Sequence, residues 1–121
     1  MNRGDIVLIP FPFSDLSGIK NRPAVILIET DEDITVAFIT TQIKWSTEFD
    51  VLMSPSDLNG LKKVSLIRLS KLATIDKGLV IGRLGFLDDQ YALVLNTNLV
   101  KLFQLEEIVE DTENDSDSIL Y

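Results

Sequence analysis

Two β-branched apolar runs set close together constrain this chain more than any other feature. Ala24-Val25-Ile26-Leu27-Ile28 and Ile34-Thr35-Val36-Ala37-Phe38-Ile39 are separated by Asp31-Glu32-Asp33, a cluster of turn-prone carboxylates. Such runs on either side of such a turn predict a β-hairpin. Residues just before the first strand and just after the second then meet at one rim of the sheet. Arg22 and Thr40 each lie nine residues from Asp31, so the pairing brings a guanidinium and a hydroxyl to the same end. An anionic ligand would be met there. Pro23 restricts Arg22 to an extended backbone, which aims its side chain at low entropic cost. The plain alternative is that Lys20 and Arg22 are solvated loop charges, as exposed charges usually are.

The remaining chain supports a sheet. Gly4-Asp5-Ile6-Val7-Leu8-Ile9 reads as a first strand entered by a turn, and Pro10-Phe11-Pro12-Phe13 keeps it extended. Each proline removes a ladder donor, so this end belongs at an edge or bulge. The two Phe fit core or rim packing, with a base-stacking platform as the alternative. Residues 14–21 are a loop by composition. Residues 49–53 restore an apolar run, and Ser65-Leu66-Ile67-Arg68-Leu69 and Lys71-Leu72-Ala73-Thr74-Ile75 are two short alternating runs of half-buried strand type. Asp88 is a candidate N-cap, after which Ala92, Leu95, Leu99, Leu102 and Phe103 recur at helical spacing. Strands first, short Gly- and Pro-containing loops and one closing helix describe a mainly β domain: a small, strongly curved antiparallel sheet or open barrel.

Composition limits the chemistry. The 121 residues include no Cys and no His. A Ser-His or Cys-His nucleophile and the usual zinc sites are therefore excluded, and no disulfide framework exists. Neither Asp31-Glu32-Asp33 nor Asp88-Asp89 has the spacing of a calcium loop, so no metal or other cofactor is expected. No window approaches the roughly 18 apolar residues of a membrane span. Met1-Asn2-Arg3-Gly4-Asp5 lacks the layout of a signal peptide, and with no Cys a cytoplasmic address is the expectation. The net charge of −8 is uneven. Seven of the 19 acids and no base fall in residues 106–121, leaving 12 acids against 11 bases in residues 1–105. A near-neutral domain over 1–105 with an acidic, flexible tail over 106–121 is the expected organisation. The tail reads as a solubilising run; the sharper alternative is a tethered competitor for the basic groove.

The order of features resembles the MazF/PemK family of toxin endoribonucleases, in its PemK-like branch. The matching pieces are Gly4-Asp5-Ile6-Val7, Pro10-Phe11-Pro12-Phe13, Lys20-x-Arg22-Pro23-Ala24-Val25 and Ile39-Thr40-Thr41-Gln42-Ile43. Ser65-Leu66-Ile67-Arg68, Thr74-Ile75-Asp76 and Leu84-Gly85 follow in the family's order. Two features depart from the family: a compact loop at Ser17-Gly18-Ile19-Lys20, and the acidic tail. The resemblance implies an SH3-like barrel with a C-terminal helix, a homodimer, and a metal-independent ribonuclease acting on single-stranded RNA. It also implies a cognate antitoxin that blocks the RNA groove. The family's catalytic Arg and Thr fall on Arg22 and Thr40.

Under that resemblance a ribose 2′-OH attacks the adjacent phosphorus and expels the 5′-oxygen, with Arg22 stabilising phosphoryl charge through its fork and Thr40 donating a further hydrogen bond. Lys20 is the candidate for a neighbouring phosphate contact, and Arg68 for a groove residue. Thr41, Gln42, Lys44 and Trp45 complete the expected RNA-binding set; Trp45 suits base stacking, a partner interface or packing onto the barrel alike. The competing class is a non-enzymatic SH3-like toxin or binding module that grips a protein partner, in which Trp45 and the helix would matter and Arg22 would not.

Overall fold

The hairpin forms, and four more strands are built outward from it. The computed structural model describes residues 1–12 and 19–105, without the side chains of Pro12, Ile19 and Trp45. Phe13, residues 14–18 of the expected loop and the expected acidic tail 106–121 lie outside the described residues. The strands are β1 (Asp5–Pro12), β2 (Ile19–Glu29), β3 (Asp33–Thr40), β4 (Val51–Met53), β5 (Ser65–Asp76) and β6 (Gly82–Phe86), followed by helix α1 (Asp89–Leu102). They make one six-stranded sheet in the order β4-β5-β3-β2-β1-β6, and every described pairing is antiparallel.

Sequence and structure differ at three places. Lys20, Asn21 and Arg22 are not loop residues: β2 begins at Ile19, because its first residues pair with the proline-rich end of β1, Phe11 opposite Lys20 and Ile9 opposite Arg22. Residues 65–69 and 71–75 are not two strands but one, β5, with its ladder interrupted between them. Phe103 is not on the packing face; it follows the last helical turn and stays exposed. Pro10 lies where its missing donor costs little: β6 pairs with β1 only as far as Leu8, so among the described strands Pro10 has no second neighbour.

The sheet curls, and its two faces bury separate clusters. One face gathers Ile6, Val25, Leu27, Ala37, Ile39, Ile67 and Leu69, covered by Tyr91, Ala92, Leu95, Leu99 and Leu102 of α1. The other gathers Val7, Ile9, Ala24, Ile26, Ile34 and Val36, bordered by Phe38, Ile75 and Val80. Alternation along each strand separates the two sets. Asp88 caps α1 by accepting from the Tyr91 N–H at 2.9 Å, satisfying one of the orphan donors of the first turn. Leu95 is the one helix residue with no exposed surface. Leu95→Ala should therefore cost about 2–5 kcal/mol, read as a lowered urea midpoint; an unchanged midpoint would mean that α1 contributes little to the core.

The connection from β4 to β5 closes the curl. Asn59, buried, accepts from the Ser56 and Leu61 N–H groups and donates to the Ser54 carbonyl. The knotted turn so formed lays the Leu58 carbonyl against β6, where it accepts from the Phe86 N–H at 2.9 Å. Gly60, at φ +70°, completes the turn.

Candidate active site

The site begins with the register of the hairpin. The turn is closed by a hydrogen bond from the Thr30 N–H to the Asp33 carbonyl, and Glu29 pairs with Ile34 and Ile28 with Thr35. Carried on unchanged, that register would set Arg22 opposite Thr41. A shift between Ile26 and Ile28 changes it, so that Ile26 pairs with Val36 and Ala24 with Phe38. The paired ladder ends there; extended by two residues, the shifted register would set Arg22 opposite Thr40. A β-bulge of one residue thus moves the register at this end from Thr41 to Thr40.

A cavity of about 580 Å³ opens at this end of the sheet, lined by Phe11, Arg22, Phe38, Ile39, Thr40, Gln42, Arg68, Lys71 and Leu72. That volume lies in the usual range of ligand sites, about 300–1,000 Å³. Phe11 and Phe38 form its apolar wall, ring centroids 4.4 Å apart and tilted by 59°. Arg22, Arg68 and Lys71 give it three cationic side chains, while no carboxylate lines it among the described residues.

Local bonding sets the direction of two of these groups. The Thr40 hydroxyl oxygen accepts from the Gln42 N–H at 3.1 Å. Its own proton is then available for donation to a ligand. Arg68 stands opposite Phe38 in β5, and its Nε lies 3.1 Å from Oδ2 of Asp50, whose side chain has no exposed surface. The Nε–H does not point at that oxygen, so the contact is an ion pair without a hydrogen bond. Oδ2 takes its hydrogen bond from the Thr47 N–H at 3.0 Å. Asp50 therefore ties the loop after β3 to the arginine in the cavity wall.

The match of a family model over residues 2–103 now identifies the chain's relatives: PemK-like, MazF-like toxins of type II toxin-antitoxin systems. This chain belongs to that family. The toxin's fold is also similar to solved structures. One is the Mycobacterium tuberculosis toxin MazF-mt6, at 22% identity and a TM-score of 0.69, over 85% of this chain and 99% of that one. Another is an endoribonuclease in complex with its cognate antitoxin from a Mycobacterial species, at 21% identity and a TM-score of 0.65, over 89% and 97% of the two chains. At these identities the likeness concerns the fold. No curated protein matches the sequence.

Of the residues singled out in the toxin's sequence, Arg22, Thr40, Gln42 and Arg68 share the cavity. Lys20, Thr41 and Lys44 are exposed outside its lining. Lys20 stands opposite Phe11, a cavity residue, and Lys44 lies in the 3-10 turn Ile43–Trp45 just beyond Gln42. The Trp45 side chain lies outside the described residues. Phe38 and Lys71 were not anticipated. Phe38 was legible, since it shares a strand face with Thr40. Lys71 was not, because only an irregular strand brings it round.

Among the described residues no group of three or more His, Cys, Asp or Glu side chains could hold a metal ion, and no helix is long and apolar enough to cross a membrane.

Proposed function

We propose that this toxin is an endoribonuclease that cleaves single-stranded RNA without a metal ion, with Arg22 and Thr40 at the reacting phosphate. The observation that carries the reading is their convergence in one cavity whose charged lining is cationic. The ribose 2′-oxygen forms a bond to phosphorus as the P–O5′ bond breaks, leaving a 2′,3′-cyclic phosphate and a 5′-hydroxyl. The 2′-hydroxyl proton passes to solvent, and the departing 5′-oxygen takes one up. The guanidinium of Arg22 meets two phosphoryl oxygens through its planar fork. The Thr40 hydroxyl adds one donor, already oriented by its acceptance from Gln42. Preorganised donors of this kind are the largest single source of stabilisation for developing oxyanions. No strong base lines the cavity among the described residues, which suits a slow, selective toxin. Phe11 and Phe38 offer a face against which a base can stack. The test is incubation of the purified protein with a long RNA in EDTA, followed by mapping of cut ends. Cuts at recurring short sequences support the reading; intact RNA would favour a toxin that acts by gripping a protein.

Two partners belong to the same proposal. A cognate antitoxin is supported by the family and by the neighbour solved with one, and its binding in the groove would exclude RNA. A homodimer is supported by exposed apolar side chains on β4 and α1 and just after the helix: Leu52, Leu93, Val100, Phe103 and Leu105. Sedimentation at micromolar concentration should report twice the 13.6 kDa chain mass; a monomer there would overturn the dimer. The working compartment in this reading is the cytoplasm, where mRNA is met. Residues 1–105 would form the toxin domain and 106–121 an acidic tail.

A further inference from the structure

Arg68 and Lys71 are three residues apart on β5, an odd spacing that places side chains on opposite faces of a regular strand. Both nevertheless line the cavity. The cause is a break in the β3–β5 ladder. Phe38 pairs with Arg68, yet its neighbour Ala37 pairs with Leu72, so Leu69, Ser70 and Lys71 have no opposite residue on β3. This enlarged bulge turns Lys71 back to the Arg68 side, as bulges elsewhere re-aim a side chain.

The two groups lie on a different strand from Arg22 and from Thr40. Arg22 is on β2 and Arg68 on β5, the strands flanking β3. Arg68 pairs with Phe38 and Phe38 with Ala24, so Arg68 lies two interstrand spacings across and two residues along from Arg22, roughly 12 Å between backbones. That is wide for one phosphate and suited to two consecutive ones. Arg68 is held on its side of the cavity by the buried Asp50 carboxylate, whereas the exposed Lys71 makes no ion pair among the described residues. A charge brought into a cavity by a strand irregularity and left without a carboxylate is arranged to meet an anion.

We propose that Arg68 and Lys71 form a second phosphate subsite, which grips the RNA phosphate adjacent to the one held by Arg22 and Thr40. This deepens the ribonuclease reading and rests on it for the identity of the strand. The subsite takes one internucleotide phosphate of a single-stranded RNA, Lys71 as a point charge and Arg68 through its guanidinium. It would contribute to binding and register without touching the reacting atoms.

Lys71 is the residue to change, because removing Arg68 would strand a buried carboxylate. The probe is a fluorescent, mixed-sequence 2′-O-methyl RNA 12-mer, which cannot be cut, with affinity followed by anisotropy from 50 to 200 mM salt. Each phosphate contact on a single strand contributes about 0.7 to the slope of log affinity against log salt. Lys71→Gln should flatten the slope by about 0.7, Lys71→Arg should restore it, and Lys101→Gln, at the end of α1, should leave it unchanged. Combining Lys71→Gln with Arg22→Ala should flatten it by about 1.4. An unchanged slope for Lys71→Gln overturns the subsite, and so does a double variant no flatter than either single one, which would mean one shared phosphate. A parallel arm follows cleavage of a long RNA in EDTA, where Lys71→Gln should raise KM and leave kcat near the original value. Wild-type protein that binds with a Lys71-dependent slope but cuts nothing keeps the subsite and ends the ribonuclease reading. Cleavage with a Lys71-independent slope does the reverse.

Discussion

Replacing Arg22 with Ala should lower RNA cleavage in EDTA by about 100- to 1000-fold, the usual loss when a preorganised donor to a developing oxyanion is removed. The thermal midpoint should move little, because Arg22 is only partly buried at the cavity rim and its neighbours along β2 keep their ladder. Arg22→Lys would keep a charge but lose the planar fork, and should recover only part of the rate. Thr40 provides an internal comparison. Thr40→Ser retains the hydroxyl that accepts from the Gln42 N–H and should stay active, whereas Thr40→Val, without a donor, should lose most activity. Initial rates on a long RNA, with unfolding curves on the same samples, separate loss of chemistry from loss of fold. Wild-type rates for Arg22→Ala would remove this arginine from the mechanism.

The second large effect concerns the closure of the sheet. Gly85 is buried on β6, opposite Ile6 of β1. A Cβ there would overlap the Leu58 carbonyl oxygen and lie 2.6 Å from the Asn59 carbonyl carbon. These are backbone atoms of a turn already fixed by four hydrogen bonds to and from Asn59, so they cannot yield as a flexible side chain would. Gly60, in the same turn, would drive a Cβ into the Leu84 carbonyl oxygen. Gly85→Ala should cost at least the 1–3 kcal/mol typical of overpacking, roughly 10 °C in thermal midpoint for a domain of this size. Gly82→Ala, where no atom lies within 4 Å of the added carbon, is the control and should stay within a few degrees. Equal midpoints for the two variants would show that the turn does not seal the sheet.

What the sequence revealed, and what it hid, follows from how far strand alternation extends. The two β-branched runs and the acidic turn were sufficient for the hairpin, and the Asp88 cap with its apolar stripe was sufficient for α1. The placing of Arg22 and Thr40 at one end of the sheet, where both line one cavity, was expected by symmetry about Asp31. The turn itself centres between Asp31 and Glu32, and the shift between Ile26 and Ile28 restores the balance. Nothing in Ile26-Leu27-Ile28 announces that shift, because a bulge in an apolar run keeps the same residue types on both sides. Lys71 was hidden for the same reason. An odd spacing from Arg68 argues for the opposite face until the three-residue interruption is seen. The early start of β2 was missed because Lys20-Asn21-Arg22-Pro23 has loop composition, while its strand character comes from its partner in β1. Irregular pairing is a property of two strands together, and a single chain read along its length does not display it.

The most direct test of the central claim is the chemistry of the cut ends. After incubation with a long RNA in EDTA, mass spectrometry of the fragments should find 2′,3′-cyclic phosphate on one side of each cut and a 5′-hydroxyl on the other. A substrate carrying a single 2′-deoxy sugar on the 5′ side of the mapped cut should resist cleavage at that position alone. Fragments ending in 5′-phosphate and 3′-hydroxyl, or cleavage undiminished by the 2′-deoxy sugar, would contradict attack by the ribose hydroxyl at the Arg22–Thr40 centre.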